Sequence, residues 1–261
     1  MKEIKLLDGG FGSQISKRID RLIDDDVLWS SRLLSTNKAE VINTHLDFLQ
    51  GLFVAGSNVI STNTYQASID GFMKHLKLSE SESYDLIKEA VDLARKAVSI
   101  YKSMNNSENT NILVAGSVGP YGAFLHDGSE YTGSYKDSDG KSIASGEDFQ
   151  QTVKKCYKMN PDQLLAVGAN CIAPGTVEQL FCDINVGEVY PMPLLVYPNS
   201  GEFYNKEMGW HGGEAGKPIE NYIENWLNMG ITWIGGCCRM YAENISKIQQ
   251  VILKWQMQHS K

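Results

Sequence analysis

Thr232-Trp-Ile-Gly-Gly-Cys-Cys-Arg239 is a short apolar run that stops at two glycines and passes straight into a vicinal cysteine pair. Five further runs have the same form, at Ile4–Asp8, Asn58–Asn63, Ile112–Ser117, Leu164–Asn170 and Leu194–Tyr197. Each is apolar, rich in β-branched residues and closed by small or polar ones, as buried strands are. Helical patterns lie between several of them. In Lys38–Ala55, Val41, Ile42, His45, Phe48, Leu49 and Leu52 fall on one face; in Ser81–Tyr101, Tyr84, Ile87, Ala90, Val91, Ala94 and Val98 do the same. Ser79-Glu-Ser-Glu82 reads as the capping region of that second helix. Val153–Met159 and Ile219–Met229 complete the set. Strand and helix alternate, which predicts an α/β fold with a parallel sheet. Polar and thiol groups collect at the C-terminal ends of the predicted strands, where parallel α/β folds place their active sites.

Bulk properties narrow the function. A chain of 261 residues, 42% of them hydrophobic, can bury one core of barrel size, and no linker divides it. A net charge of −7, with no basic run, argues against a partner that is nucleic acid. No stretch reaches the roughly 18–20 apolar residues of a membrane span. Met1–Asp8 reads as a charged, then apolar strand and not as a signal peptide, so a cytoplasmic location is expected. The five cysteines are then expected to be reduced, and an odd count with an adjacent pair fits a disulfide framework poorly.

Cys171 ends one predicted strand, and Cys237 and Cys238 end another. A catalytic zinc site takes three protein ligands and keeps one position open, and thiolate suits the metal. Neighbouring side chains on an extended strand point to opposite faces, so a vicinal pair needs the backbone to turn. Gly235-Gly236 are expected to supply that turn through glycine's conformational freedom. Cys156 and Cys182, on or near helices, read as ordinary small buried hydrophobes. Three thiolates on Zn²⁺ make a weak Lewis acid, better matched to holding a thiol as its thiolate than to activating water. The five histidines have no ligand spacing.

Leu6-Leu-Asp-Gly-Gly10, Gly56-Ser-Asn-Val-Ile-Ser-Thr-Asn-Thr-Tyr65, Gly116-Ser-Val-Gly-Pro-Tyr-Gly122, Val167-Gly-Ala-Asn-Cys171, Val196-Tyr-Pro-Asn-Ser-Gly-Glu202 and Gly235-Gly-Cys-Cys-Arg239 together resemble the homocysteine S-methyltransferase family, nearly end to end. The likeness is greater to enzymes using S-methylmethionine or S-adenosylmethionine than to the betaine branch. It implies a (β/α)₈ TIM barrel, Zn²⁺ on Cys171, Cys237 and Cys238, and methyl transfer from a sulfonium donor to homocysteine, forming methionine. It also implies that Asp8 and the amides of Gly9 and Gly10 lie beside the amino-acid end of homocysteine, with Thr62 and Asn170 in the same pocket. Trp29 would belong to a lid, and Tyr65, Tyr197 and Asn199 to the donor side. Plainer readings stand beside these: a tight turn at Asp8-Gly9-Gly10, a core-facing Trp29, and an Asn199 that serves the turn after Pro198.

The chain departs from the resemblance in one place. About six strands are recognisable where the family has eight, and the polar, glycine-rich stretch Gly128–Gly146 has no periodicity. Tyr131–Tyr135 resembles the family segment after the third strand, and Lys136–Phe149 the segment after the fifth. Residues 1–261 are therefore expected to form a single domain with an internal deletion near 135–136. Such a deletion removes the carboxylate that family members carry after the fourth strand for the homocysteine amino group, for which Glu130 and Asp137 are the nearest substitutes in sequence. The alternative to an active enzyme is a non-catalytic, destabilised or binding-only form.

Overall fold

In the computed structural model the described residues are 3–259, except 21, 22, 24, 25, 51–55, 107–109, 121, 122, 124–146, 206–208 and 213–216. The end of the predicted helix Lys38–Ala55, the junction Tyr135–Lys136, and Glu130 and Asp137 lie outside the described residues.

All six predicted strands form. They are β1 (Lys5–Leu6), β2 (Val59–Ser61), β3 (Leu113–Ala115), β4 (Val167–Asn170), β5 (Leu194–Tyr197) and, later in the chain, Ile231–Ile234. An antiparallel hairpin that periodicity did not announce, β6 (Phe203–Asn205) with β7 (Gly209–His211), makes the last strand β8. The order β1-β8-β5-β4 forms a four-stranded parallel sheet, and β2 and β3 form a parallel pair. A parallel bridge between Leu7 and Val59 joins the two. Among the described residues the six parallel strands thus run in the order β4-β5-β8-β1-β2-β3, with β1 and β8 adjacent.

Burial follows this order. Leu194, Val196, Ile231 and Ile234 on the inner strands are fully buried. The flanking strands are less covered: β3 is half-exposed throughout, and Gly168 and Asn170 of β4 are exposed.

The helices are α1 (Phe11–Ile19), α2 (Leu33–Thr36), α3 (Lys38–Gln50), α4 (Ile69–Leu76), α5 (Glu80–Asn105), α6 (Phe149–Met159), α7 (Val177–Phe181), α8 (Glu220–Asn228) and α9 (Ala242–His259). The capping box at α5 is present in full: the Ser79 hydroxyl accepts from Glu82 N–H, and the Glu82 carboxylate accepts from Ser79 N–H. Helix α6 starts earlier than its apolar pattern, because the Asp148 side chain caps it at Gln151 N–H. Cys156 and Cys182 are exposed, which corrects their reading as buried hydrophobes. No described helix is long and apolar enough to cross a membrane.

Gly235 sits where three elements meet. A Cβ there would fall 2.6 Å from Leu7 Cβ and 2.7 Å from two ring carbons of Tyr197. Neither Gly235 nor Gly236 has a left-handed φ. Glycine is required by close packing, then, and not by the backbone freedom expected from the sequence. Gly235→Ala should lower the unfolding free energy by about 1–3 kcal/mol. Gly175→Ala, whose Cβ would meet only Tyr222 Oη at 3.9 Å, should cost far less; paired urea titrations check both.

Candidate metal centre

Because the six strands are parallel, their C-terminal ends lie on one side, and the loops leaving them carry the candidate residues. Cys171 follows β4 directly in a left-handed conformation (φ 55°), and its N–H donates to the Tyr197 carbonyl at 2.9 Å. Cys237 N–H donates to the Pro198 carbonyl at 2.7 Å, and Arg239, also left-handed (φ 62°), turns the chain back toward α9. The β8–α9 loop interlocks with the start of the chain: Gly236 N–H donates to the Asp8 carbonyl, and Gly10 N–H to that of Met240.

These two loops bring three sulfurs together. Cys171 Sγ lies 3.6 Å from Cys238 Sγ, and Cys237 Sγ lies 3.7 Å from Cys238 Sγ. All three lie within 4.8 Å of one another, and they are the one such group of three His, Cys, Asp or Glu ligand atoms among the described residues. A tetrahedral zinc with Zn–S bonds of about 2.3 Å separates its sulfurs by about 3.8 Å, so the donor set and its spacing fit that ion. Without a cation the group cannot carry three buried charges. Hydrogen bonds from Cys237 and then Cys238 hold the Cys171 thiol far below its usual range, while bonding to Cys171 pushes both partners up.

Asp8 stands next to this group. It is fully buried, and its carboxylate accepts from Ser61 N–H at 2.6 Å and Ser61 Oγ at 3.1 Å. Tyr197 Oη lies 2.7 Å from Asp8 Oδ1 and 2.9 Å from the Gly9 carbonyl, with one proton to share between them. Burial raises the Asp8 pKa to about 6 against these hydrogen bonds, and the Tyr197 phenol is raised by burial first and by Asp8 second.

The structure therefore gathers Asp8, Gly9, Gly10, Tyr197, Asn199 and the three cysteines at one end of the sheet. Thr62 Oγ1 accepts from Ser117 N–H and pairs with Thr64 Oγ1 at 2.7 Å, on the β2–β3 side. Asn170 is exposed. Trp29 is half-buried, left-handed (φ 48°), and packs against the apolar cluster around Ile15, Ile23 and Leu28. The carbonyl of Tyr65 crowds Gly119. Sequence reasoning missed Ser61, which supplies two donors to Asp8, although its place beside Thr62 at a strand end was a usable signal. It also missed the pairing of Glu202 with Arg239, the terminal residues of two motifs, at 3.0 Å.

The chain is similar to known proteins over nearly its whole length. The family profile described as homocysteine S-methyltransferase matches residues 5–140 and 131–252. The chain belongs to the homocysteine S-methyltransferase family. A betaine-homocysteine S-methyltransferase of Drosophila melanogaster is 32% identical over 96% of this chain and 95% of that protein. A homocysteine S-methyltransferase of Escherichia coli is 30% identical over 95% of each. Among solved structures, the homocysteine methyltransferase MmuM of Escherichia coli superposes in its oxidised form with a TM-score of 0.77 and in its metallated form with 0.76. Both are 28% identical and cover 95% of this chain and 96% of theirs. The fold is thus that of the family's TIM barrel, with six of its parallel strands among the described residues.

The raised pKa of Asp8 has a direction in solution. Its folded value, about 6, lies above the ordinary 3.8. The protonated form therefore favours the fold below about pH 4, and that contribution is lost as pH rises through about 6. The size is at most about 3 kcal/mol. In metal-free protein, Asp8→Asn should gain stability relative to the wild type between pH 4 and 7; a difference that does not change with pH in urea titrations would contradict this.

Proposed function

We propose that this member of the homocysteine S-methyltransferase family is an enzyme that transfers a methyl group from a sulfonium donor, S-methylmethionine or S-adenosylmethionine, to the thiol of L-homocysteine, with Zn²⁺ as cofactor. The observation that carries this is the set of three sulfurs from Cys171, Cys237 and Cys238 within 4.8 Å of one another. Cys171, Cys237 and Cys238 would hold the zinc, which when bound would keep a substrate thiol of ordinary pKa as its thiolate at neutral pH.

The chain's own residues do the rest by placement. Asp8, charged above about pH 6, lies at the same end of the sheet as the sulfurs and suits the ammonium of an amino acid. The Gly10 amide already donates to Met240, so a substrate carboxylate would compete with that bond. Gly9, Thr62 and Asn170 complete the proposed homocysteine side; Trp29, Tyr65, Tyr197 and Asn199 are the proposed lid and donor side, with Tyr197 bonded toward Asp8. The homocysteine sulfur takes the methyl carbon in line as the donor's carbon–sulfur bond breaks, and the donor leaves as a neutral thioether. No general acid is required, because the positive charge of the donor already activates the methyl, and the protein's task is orientation.

Two further readings belong to this proposal. The names of the relatives divide over the donor, one containing betaine; the motif likeness to the sulfonium branch supports the sulfonium reading. We read the chain as internally shortened near residues 135–136. In support, the family profile matches in two stretches meeting at 131–140, and a 319-position alignment covers only 96% of these 261 residues.

Zinc-loaded protein given homocysteine and S-methylmethionine should form methionine, measured by mass spectrometry, and betaine should not replace the donor. Zinc bound without methionine formed would instead favour the binding-only alternative. Cys238→Ala should lose both stoichiometric zinc and turnover, whereas Cys182→Ala, at an exposed thiol, should keep both.

A further inference from the structure

The two metal-binding arms are both hydrogen-bonded to the segment that follows β5. From the Cys171 arm, Cys171 N–H donates to the Tyr197 carbonyl, and the Asn199 side-chain amide donates to the Cys171 carbonyl at 3.1 Å. Asn199 N–H also donates to the Ile172 carbonyl. From the other arm, Cys237 N–H donates to the Pro198 carbonyl, and Ser200 N–H donates to the Cys238 carbonyl at 3.1 Å. Glu202 then pairs with Arg239, receiving Nε at 3.0 Å, and its carboxylate also accepts from Ser200 Oγ at 2.6 Å.

Chemistry dictates the orientation of the Asn199 amide. Gly201, left-handed at φ 86°, aims its N–H at Asn199 Oδ1 at 2.8 Å. The amide oxygen must face that donor, so the amide nitrogen must face Cys171. Cys171 is a non-glycine residue in the left-handed region, a conformation kept only where neighbours over-determine it. Asn199 and the Tyr197 carbonyl are those neighbours on both sides of its peptide groups. Arg239 is a second left-handed residue, and its N–H donates to Ser13 Oγ at 2.8 Å while its guanidinium is held by Glu202.

We propose that Tyr197–Glu202 is a clamp that sets the spacing of the three sulfurs, with Asn199 and Glu202 as positioning residues for the metal centre. This places Asn199 on the metal side of the site and gives Glu202 and Arg239 a role that the methyl-transfer reading does not assign. The inference rests on that reading's zinc site.

The test is zinc affinity of the full chain, by competition with a chromophoric chelator, together with thiolate charge-transfer absorption after Co²⁺ loading. Asn199→Asp replaces the donor facing Cys171 with an acceptor, and Glu202→Gln keeps shape while removing the charge that holds Arg239. Each should weaken zinc binding by about 10–100-fold, the range typical of lost outer-shell partners, and reduce the cobalt–thiolate absorption. Wild-type affinity in the folded variants overturns the clamp, and so does a lower melting temperature of metal-free protein with zinc affinity unchanged. If Asn199→Asp does not fold, the partly exposed Glu202 decides alone. A wild-type chain that takes up no zinc sinks the zinc reading itself, whereas tight wild-type binding matched by both variants sinks only the clamp.

Discussion

The strands that carry the thiols are not neighbours: β5 lies between β4, which ends at Cys171, and β8, which ends before Cys237 and Cys238. Adjacent strands are spaced by about 4.8 Å, so β4 and β8 stand roughly twice that distance apart. Three sulfurs within 4.8 Å of one another therefore require both loops to lean across the end of β5. Everything local to the site follows from that convergence. Cys171 leaves its strand through a left-handed residue, Arg239 reverses the other loop in the same way, and the segment after β5 bonds to both. Gly235 is bare because Leu7 and Tyr197 occupy the space a Cβ would need.

Burying acidic groups so closely has an electrostatic cost, and the site distributes it. Without a cation, mutual hydrogen bonding lowers the Cys171 thiol and raises the other two, since three thiolates in low dielectric would not coexist. A dication held by the three sulfurs would reverse this balance and tie the two loops together, which would couple metal uptake to order at this end of the sheet. Asp8 is a second buried acid tied to the same loop, through its carbonyl to Gly236 and through Tyr197, whose carbonyl receives Cys171. A change in charge at either acid is felt by a shared set of backbone bonds.

Much of this was legible in the residues. The six apolar runs became the six parallel strands because buried parallel strands lack alternation, and short apolar runs closed by polar residues have few other uses. The capping box at Ser79 was legible for the same reason: it is a local bond between residues three apart. The hairpin at Phe203–His211 and helix α1 were not. Helix α1 opens at Gly10 with no side-chain cap, directly after the turn that ends β1, so nothing in the sequence marks its start. The cysteine set was readable from residue type and from position at strand ends. The reason for Gly235 was not, because close packing against Leu7 and Tyr197 depends on which strands are adjacent, and periodicity does not state strand order. The role of Asn199 was hidden likewise, since it acts across a distance in sequence, on Cys171.

The strand order also sets the three thiols apart from Thr62 and Tyr65. All three thiols hang from strands of the continuous sheet β1-β8-β5-β4. Thr62 and Tyr65 hang from the β2–β3 pair, joined to that sheet by the Leu7–Val59 bridge and by side-chain bonds at Asn58, Ser57 and Asp8–Ser61. The sulfurs are therefore fixed by main-chain pairing within one sheet, while the Thr62 side is positioned partly through a carboxylate that titrates near pH 6. Protonating Asp8 leaves the cysteine-bearing ladder intact but weakens a tie between the two halves, because a neutral acid accepts hydrogen bonds less strongly than its anion. The spacing of the three sulfurs therefore depends on one sheet, whereas the distance from Thr62 to those sulfurs depends on both halves staying in register.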